Sequence, residues 1–156
     1  VPVVNLGFSG NGRMDAAVGE YLTQIDASMY VIDCLPNMGP ADVAAKCVPL
    51  VKQLRQAKPE TPIVLVEDRR FTNSWITPAK EKFHDDNHAA LRAAYESLLA
   101  DGVTGLHYIS GDHLYGDDTE GATDASHAND LGFMRQAEVF APVLRELIQP
   151  AAPAAQ

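Results

Sequence analysis

Four apolar runs recur along the chain, Val3 to Phe8, Met29 to Leu35, Ile63 to Glu67 and Leu106 to Ser110, each followed by a segment with helical spacing. The runs are continuously apolar and do not alternate with polar residues, so both faces of each must be covered. Covered strands that alternate with helices are the pattern of a parallel sheet held between helical layers. The sequence therefore predicts an α/β fold, a three-layer sandwich with a parallel sheet.

The helices can be placed from their apolar spacing and their ends. Asp15 to Ile25 carries Ala16, Val18, Tyr21, Leu22 and Ile25 on one side, with Asp15 near the start where its charge suits the helix dipole. Pro40 fits a first helical turn, and Val43, Val48, Leu50, Val51 and Leu54 follow until Lys58-Pro59 ends the pattern, with Pro49 as a candidate kink. Ala79 to Ala100 supplies Phe83, Leu91, Ala94, Tyr95, Leu98 and Leu99 before an Asp101-Gly102 stop. Leu131, Met134, Ala137, Ala141, Leu144 and Ile148 form the last apolar stripe, with Asn129 or Asp130 placed to cap it. The Ala/Pro stretch Pro150 to Gln156 holds nothing large enough to bury and reads as a frayed, disordered tail. The expected domain is thus 1–149 and the tail 150–156.

Composition narrows the function. With 156 residues, 46% hydrophobic and 21% charged, the chain suits one domain with a sizeable core. Twelve Lys+Arg against twenty-one Asp+Glu give a formal charge of −9, a field that repels phosphate backbones and argues against nucleic acid as a partner. No apolar run approaches the roughly 20 residues that span a bilayer. No signal peptide is visible at Val1, which leaves two compartments open: cytoplasmic, or exported with a signal removed before Val1. Cys34 and Cys47 form neither a disulfide framework nor a zinc spacing, and both read as core thiols. Nothing calls for a cofactor, and the sequence does not address oligomeric state.

In a parallel sheet, ligands gather at the carboxyl ends of the strands, so the loops there carry the chemistry. The first is Gly7-Phe8-Ser9-Gly10-Asn11-Gly12, whose backbone N–H groups could face an anion or a developing oxyanion. Its glycine spacing fits neither a dinucleotide fingerprint nor a phosphate loop, and Asn11 replaces the last glycine of a G-x-S-x-G elbow, so Ser9 is a poor nucleophile and is expected at most as a substrate contact. The second loop brings Asn37, whose amide can donate into the same crevice. Arg69, Arg70, Asn73 and Trp75 follow the third run, where they could meet a sugar or acyl group; Trp75 could equally cap the core. The last loop holds Asp124-Ala125-Ser126-His127, in which the carboxylate can turn back onto one ring nitrogen and leave the other as a general base.

Together, Asn5 to Gly10, then Asn37 about 27 residues on, then Asp124-x-x-His127 before a final amphipathic helix, resemble the SGNH (GDSL-like) hydrolase family. Ser9 to Gly12 and Val66 to Arg69 are most similar to its GDSL-like lipase/acylhydrolase branch, which includes acetyl-ester hydrolases. The resemblance runs from Val3 to about Ile148 and implies a flavodoxin-like SGNH hydrolase fold. By position it implies that Gly10 and Asn37 are oxyanion donors, Asp124 the orienting carboxylate and His127 the base. It further implies a carboxyl-ester hydrolase acting on a small-molecule or carbohydrate ester, with an acetyl ester among the candidates.

The same resemblance exposes a gap. The family's nucleophilic serine sits on a first, central strand some two to three dozen residues before Gly10, upstream of Val1. The chain is expected to be a segment of a longer one; a swapped strand or a noncatalytic remnant would also account for the gap. Ser110 and Ser126 are poor substitutes. The rival reading is a noncatalytic α/β binding or scaffold domain, and a flavodoxin-like phosphate module ranks below it. Two decoys remain. His84 and His88 have the i, i+4 spacing of zinc peptidases but Asp85 where those have Glu, so a solvated helix start explains them better and no metal site is expected. Gly116 to Gly121 lacks the alternating ligands of a calcium loop and reads as an exposed loop near the site.

Overall fold

The computed structural model of the chain describes residues 2–148. The Pro150 to Gln156 stretch, read above as a frayed tail, and the expected domain end at 149 lie outside the described residues. Three strands, β1 (Tyr30–Ile32), β2 (Ile63–Val66) and β3 (Leu106–Ile109), form a parallel sheet in the order β1-β2-β3. Between and after them run α1 (Ala16–Leu22), α2 (Pro40–Ala57), α3 (Pro78–Ala100) and α4 (Asp130–Ile148).

The register explains the layers. Tyr30 lies beside Ile63 and Ile63 beside Leu106, so Tyr30, Ile32, Ile63, Leu65 and Leu106 share one face. That face meets Val43, Cys47, Leu50, Val51 and Leu54 of α2 and Leu91, Ala94 and Leu98 of α3. Val64, Val66 and Ile109 point the other way and meet Val139, Phe140, Val143, Leu144 and Leu147 of α4. The result is a three-layer α/β/α sandwich. Because β2 is flanked on both edges and covered on both faces, all four of its side chains are 0% exposed, each contributing about 1.5–3 kcal/mol of burial.

Local rules account for the ends. Asn129 is the α4 cap: its Oδ1 accepts the Gly132 N–H at 3.0 Å. Pro49 does not end α2, which continues to Ala57 with one intrahelical donor missing. Helix α1 is shorter than its apolar spacing suggests. After Leu22 the chain tightens, with Gln24 N–H donating to Tyr21 O and Ile25 N–H to Leu22 O at 3.1 Å each, the pattern of a 3₁₀ turn. Cys34 is half-buried and Cys47 buried, both as free thiols, and burial pushes the Cys47 thiol up to about 12.

One expectation is corrected. Val3 to Phe8, read as the first strand, has no regular structure, and Val3 and Val4 are 88% and 65% exposed. Apolar, β-prone sequence becomes a strand only when its N–H and C=O groups find a ladder. Among the described residues nothing pairs with this segment or with the outer edge of β1, and Val31 on β1 is 39% exposed. Among the same residues no helix is long and apolar enough to cross a membrane.

Candidate active site

All three strands end on one edge, and there the chain keeps charged residues out of water. Glu67, Asp68 and Arg69 follow β2 directly and are 2%, 1% and 8% exposed. Buried charge is tolerable only when partnered, and each of the three reaches a different neighbour. Glu67 accepts from Tyr108 Oη at 2.5 Å, the Gly111 N–H at 2.7 Å, Arg92 Nη2 at 2.9 Å and Ser110 Oγ at 3.1 Å, which ties it to the end of β3. Burial works against its charge, but these bonds win and hold its carboxyl below the usual range. Asp68 reaches α3, with His84 Nδ1 2.8 Å from Oδ2 and His88 Nε2 2.9 Å from Oδ1. Desolvation again opposes the charge, and the two imidazoles overcome it. Burial pulls the His88 imidazole down while Asp68 and Glu67 raise it further, so its net position is above the ordinary histidine range.

The pair His84 and His88 is therefore no solvated helix start. Helix α3 begins at Pro78, and the two rings are 0% and 7% exposed against Asp68. Together with Asp68 they form a set whose ligand atoms lie within 4.8 Å of one another, close enough to suggest a metal. The hydrogen bonding decides against it. The Phe71 N–H donates to His84 Nε2 at 3.1 Å, so that nitrogen holds the lone pair and Nδ1 carries the proton given to Asp68. His88 Nε2 sits 2.8 Å from the Asp68 carbonyl, an acceptor only, and must carry its proton too. Neither nitrogen that faces Asp68 has a lone pair for an ion.

The Asp124-Ala125-Ser126-His127 turn closes on itself between the Ala122 and Ala128 bridge. Asp124 Oδ2 lies 2.7 Å from His127 Nδ1, and Oδ1 accepts the His127 and Ser126 N–H groups at 2.8 and 3.0 Å. Those three bonds, the His127 N–H first, hold the Asp124 carboxyl far below its usual range. Nδ1 thus donates to a fixed anion, and the ring is otherwise open, 82% exposed. Arg69, expected at a substrate, is instead buried under this turn: Nε donates to the Ser126 carbonyl at 2.9 Å and Nη2 meets Ser126 Oγ at 2.5 Å.

Gly10 and Asn37 are brought together from separate loops. Phe8, Ser9 and Gly10 all take left-handed conformations, φ 49°, 50° and 86°, so the loop coils tightly. A side chain at Gly10 would come 3.8 Å from Asn37 Oδ1. The Asn37 amide donates one N–H to the Gly12 carbonyl at 3.3 Å, leaving its second. Among the described residues no hydrogen bond joins this pair to Asp124 and His127. Ser9 is exposed on its coil, and among the described residues no histidine bonds to it. Ser110 donates to the carboxylates of Glu67 and Asp112, and Ser126 is held by Arg69, so among the described residues neither hydroxyl meets a histidine. Asn73 accepts from Lys80 Nζ at 3.4 Å. Trp75 does not cap the core: it is 71% exposed on a short 3₁₀ turn, Ser74–Ile76. Arg70, earlier in the same loop, and the stretch from Gly111 to Asp117 line an open cleft of about 200 Å³. The Gly116 to Gly121 loop at this rim is pinned by Arg135, which holds both Asp118 oxygens at 2.6 Å.

Sequence reasoning did not find the Glu67, Asp68, His84 and His88 network. The signal was present in Glu67-Asp68-Arg69 set directly behind four apolar residues, where the chain is still deep in the sheet.

Comparison with known proteins gives three findings. The model of the GDSL-like Lipase/Acylhydrolase family matches residues 1–145. A solved GDSL-like lipase structure from Bacteroides ovatus ATCC 8483 is similar over 89% of this chain, at 32% identity and a TM-score of 0.85. The salicylyl-acyltransferase SsfX3 from a tetracycline biosynthetic pathway shares the fold over 88% of the chain, with a TM-score of 0.70 and 20% identity. The chain spans 41% and 44% of those two proteins, less than half of either. No curated protein matches it.

Proposed function

The chain belongs to the GDSL-like lipase/acylhydrolase family, and from that premise we propose that it carries the acid–base half of a serine-dependent carboxyl-ester hydrolase. The observation that carries the reading is the Asp124 and His127 pair. A carboxylate held ionised by backbone N–H groups fixes one imidazole nitrogen 2.7 Å away, and the other nitrogen is open to a reacting hydroxyl.

The mechanism follows from those groups. His127 Nε2 takes the proton of a serine hydroxyl supplied from upstream of Val1, as that oxygen attacks the ester carbonyl. Asp124 stabilises the imidazolium that forms. The Gly10 N–H and the free Asn37 amide hydrogen donate to the tetrahedral oxyanion. The alcohol leaves with the proton from His127, and water then repeats the sequence on the acyl-enzyme. Trp75 and Asn73, on the loop after β2, contact the acyl or alcohol part of a small-molecule or carbohydrate ester, an acetyl ester among the candidates.

The test is ester turnover by the intact protein with p-nitrophenyl acetate. His127→Gln is expected to lower kcat by about 10²–10⁴ with the circular dichroism spectrum unchanged. A wild-type protein with no turnover on any short-chain ester, or a His127→Gln variant as fast as wild type, would favour the noncatalytic binding domain instead.

A further inference from the structure

We propose that Arg69 is a positioning residue, a buried fork that holds the Asp124 and His127 turn in its working geometry and does not touch substrate. The inference rests on the reading of that turn as the acid–base pair. The turn's own bonds join Asp124 to His127, but they do not fix the turn to the sheet beneath it. Its two functional side chains are 56% and 82% exposed, and exposed ion pairs hold geometry weakly. It is also strained, since Ala125 has φ 70°, a region that a residue with a Cβ occupies only when its surroundings enforce it.

The enforcement comes from the chain after β2 and after β3. The Ser126 carbonyl accepts from both Arg69 Nε and Tyr115 Oη, each at 2.9 Å. Arg69 Nη2 meets the Ser126 hydroxyl, and the Thr72 N–H donates to the Ala125 carbonyl at 3.0 Å. Two donors of one planar guanidinium on two atoms of one residue fix position and rotation together, which a lysine cannot do. Ser126 lies between Asp124 and His127, so its rotation sets the direction of the imidazole.

Arg69 is itself immobilised. It is 8% exposed, its guanidinium carbon lies 5.1 Å from the centre of the Phe71 ring, and Nη1 is 3.6 Å from Asp68 Oδ2. Asp68 is in turn fixed to α3 by His84 and His88. The rigidity of a helix in the sandwich thus reaches an exposed catalytic turn through Asp68, Arg69 and Ser126. The burial of Arg69 also argues against a direct role with substrate.

The test uses Arg69→Met and Arg69→Lys in the intact protein, with ester kinetics and histidine ¹³C NMR, the His127 resonance being identified by its loss in His127→Gln. Arg69→Lys keeps the charge and stem should Arg69→Met fail to fold. Both are expected to lower kcat roughly 10–100-fold with KM within about twofold, and to broaden the His127 signal from one conformation into several. A raised KM at unchanged kcat would make Arg69 a substrate ligand and overturn the proposal. A sharp, unshifted His127 signal in both variants would also overturn it, and this readout stands even if the wild-type protein hydrolyses no ester, an outcome that would remove only the esterase reading.

Discussion

Asp68→Asn isolates the hydrogen-bond logic beneath the site, because the replacement is isosteric and the two histidines cannot adapt to it. His84 must donate from Nδ1, since the Phe71 N–H occupies Nε2 at 3.1 Å, and His88 must donate from Nε2, which faces the Asp68 carbonyl at 2.8 Å. A carboxylate accepts both. A carboxamide accepts one and turns its NH₂ on the other. The oxygen is expected to stay with His84, which is 0% exposed and has no water to turn to, while His88 keeps the backbone carbonyl. The loss is therefore one charge-assisted bond, about 1.5–3 kcal/mol. At about 2–4 °C per kcal/mol for a domain of 150–250 residues, the midpoint falls by roughly 3–12 °C. Asp68→Ala leaves both imidazoles without their carboxylate and is expected to cost more, about 3–5 kcal/mol. Thermal and urea unfolding at pH 6, both followed by far-UV circular dichroism, are the assay, since Trp75 is 71% exposed and reports poorly on the core. An Asp68→Asn protein within about 0.5 kcal/mol of wild type would refute the tautomer assignment. So would a fall in the wild-type midpoint on adding EDTA, which is expected to change nothing.

Further outcomes follow from the contacts of Glu67, Asp68 and His88 and from the Asn37 amide. Glu67 and Asp68 are held below their ordinary range, so their stabilisation is present above about pH 4.5 and lost as pH falls through their folded values. His88 is raised, so its contribution is complete below about pH 6.5 and lost as pH rises through its folded value. The stability gap between wild type and His88→Gln should therefore narrow from pH 6 to pH 9 in parallel urea titrations, and a constant gap would contradict the shift. Gly111→Ala would drive its Cβ into the Asp68 carbonyl oxygen and to 2.9 Å from His88 Cε1; a loss of about 1–3 kcal/mol is expected in the same unfolding assay. Asn37→Ala should lower kcat for ester hydrolysis about 10²–10³-fold with the unfolding midpoint nearly unchanged.

What could be read in the sequence was whatever short-range pattern fixes. The unbroken apolar run of Ile63 to Val66 marked the central strand because full burial leaves no room for alternation. The Asp124 to His127 spacing marked a turn whose bonds are local, and the cap could be narrowed to Asn129 or Asp130 for the same reason, the structure giving Asn129. Long-range pairing was not legible. Val3 to Phe8 has the composition of a strand, but strandedness depends on a neighbour that composition does not encode. His84 and His88 at helical spacing, with Asp85 and Asp86 around them, suggested a wet helix face. Only the fold shows that Asp85 and Asp86 turn out to Arg70 and Lys82 while the histidines turn in to Asp68. Arg69 was taken for a substrate contact for a similar reason: its position at the strand edge was legible, but its partner 57 positions away was not.

The central claim is that His127 and Asp124 activate a serine that lies outside this chain, and fluorophosphonate labelling of the intact protein with peptide mapping tests it most directly. The account predicts a single adduct on a serine upstream of Val1, absent from the His127→Gln protein. An adduct on Ser9, Ser110 or Ser126, or labelling that persists without His127, would contradict it.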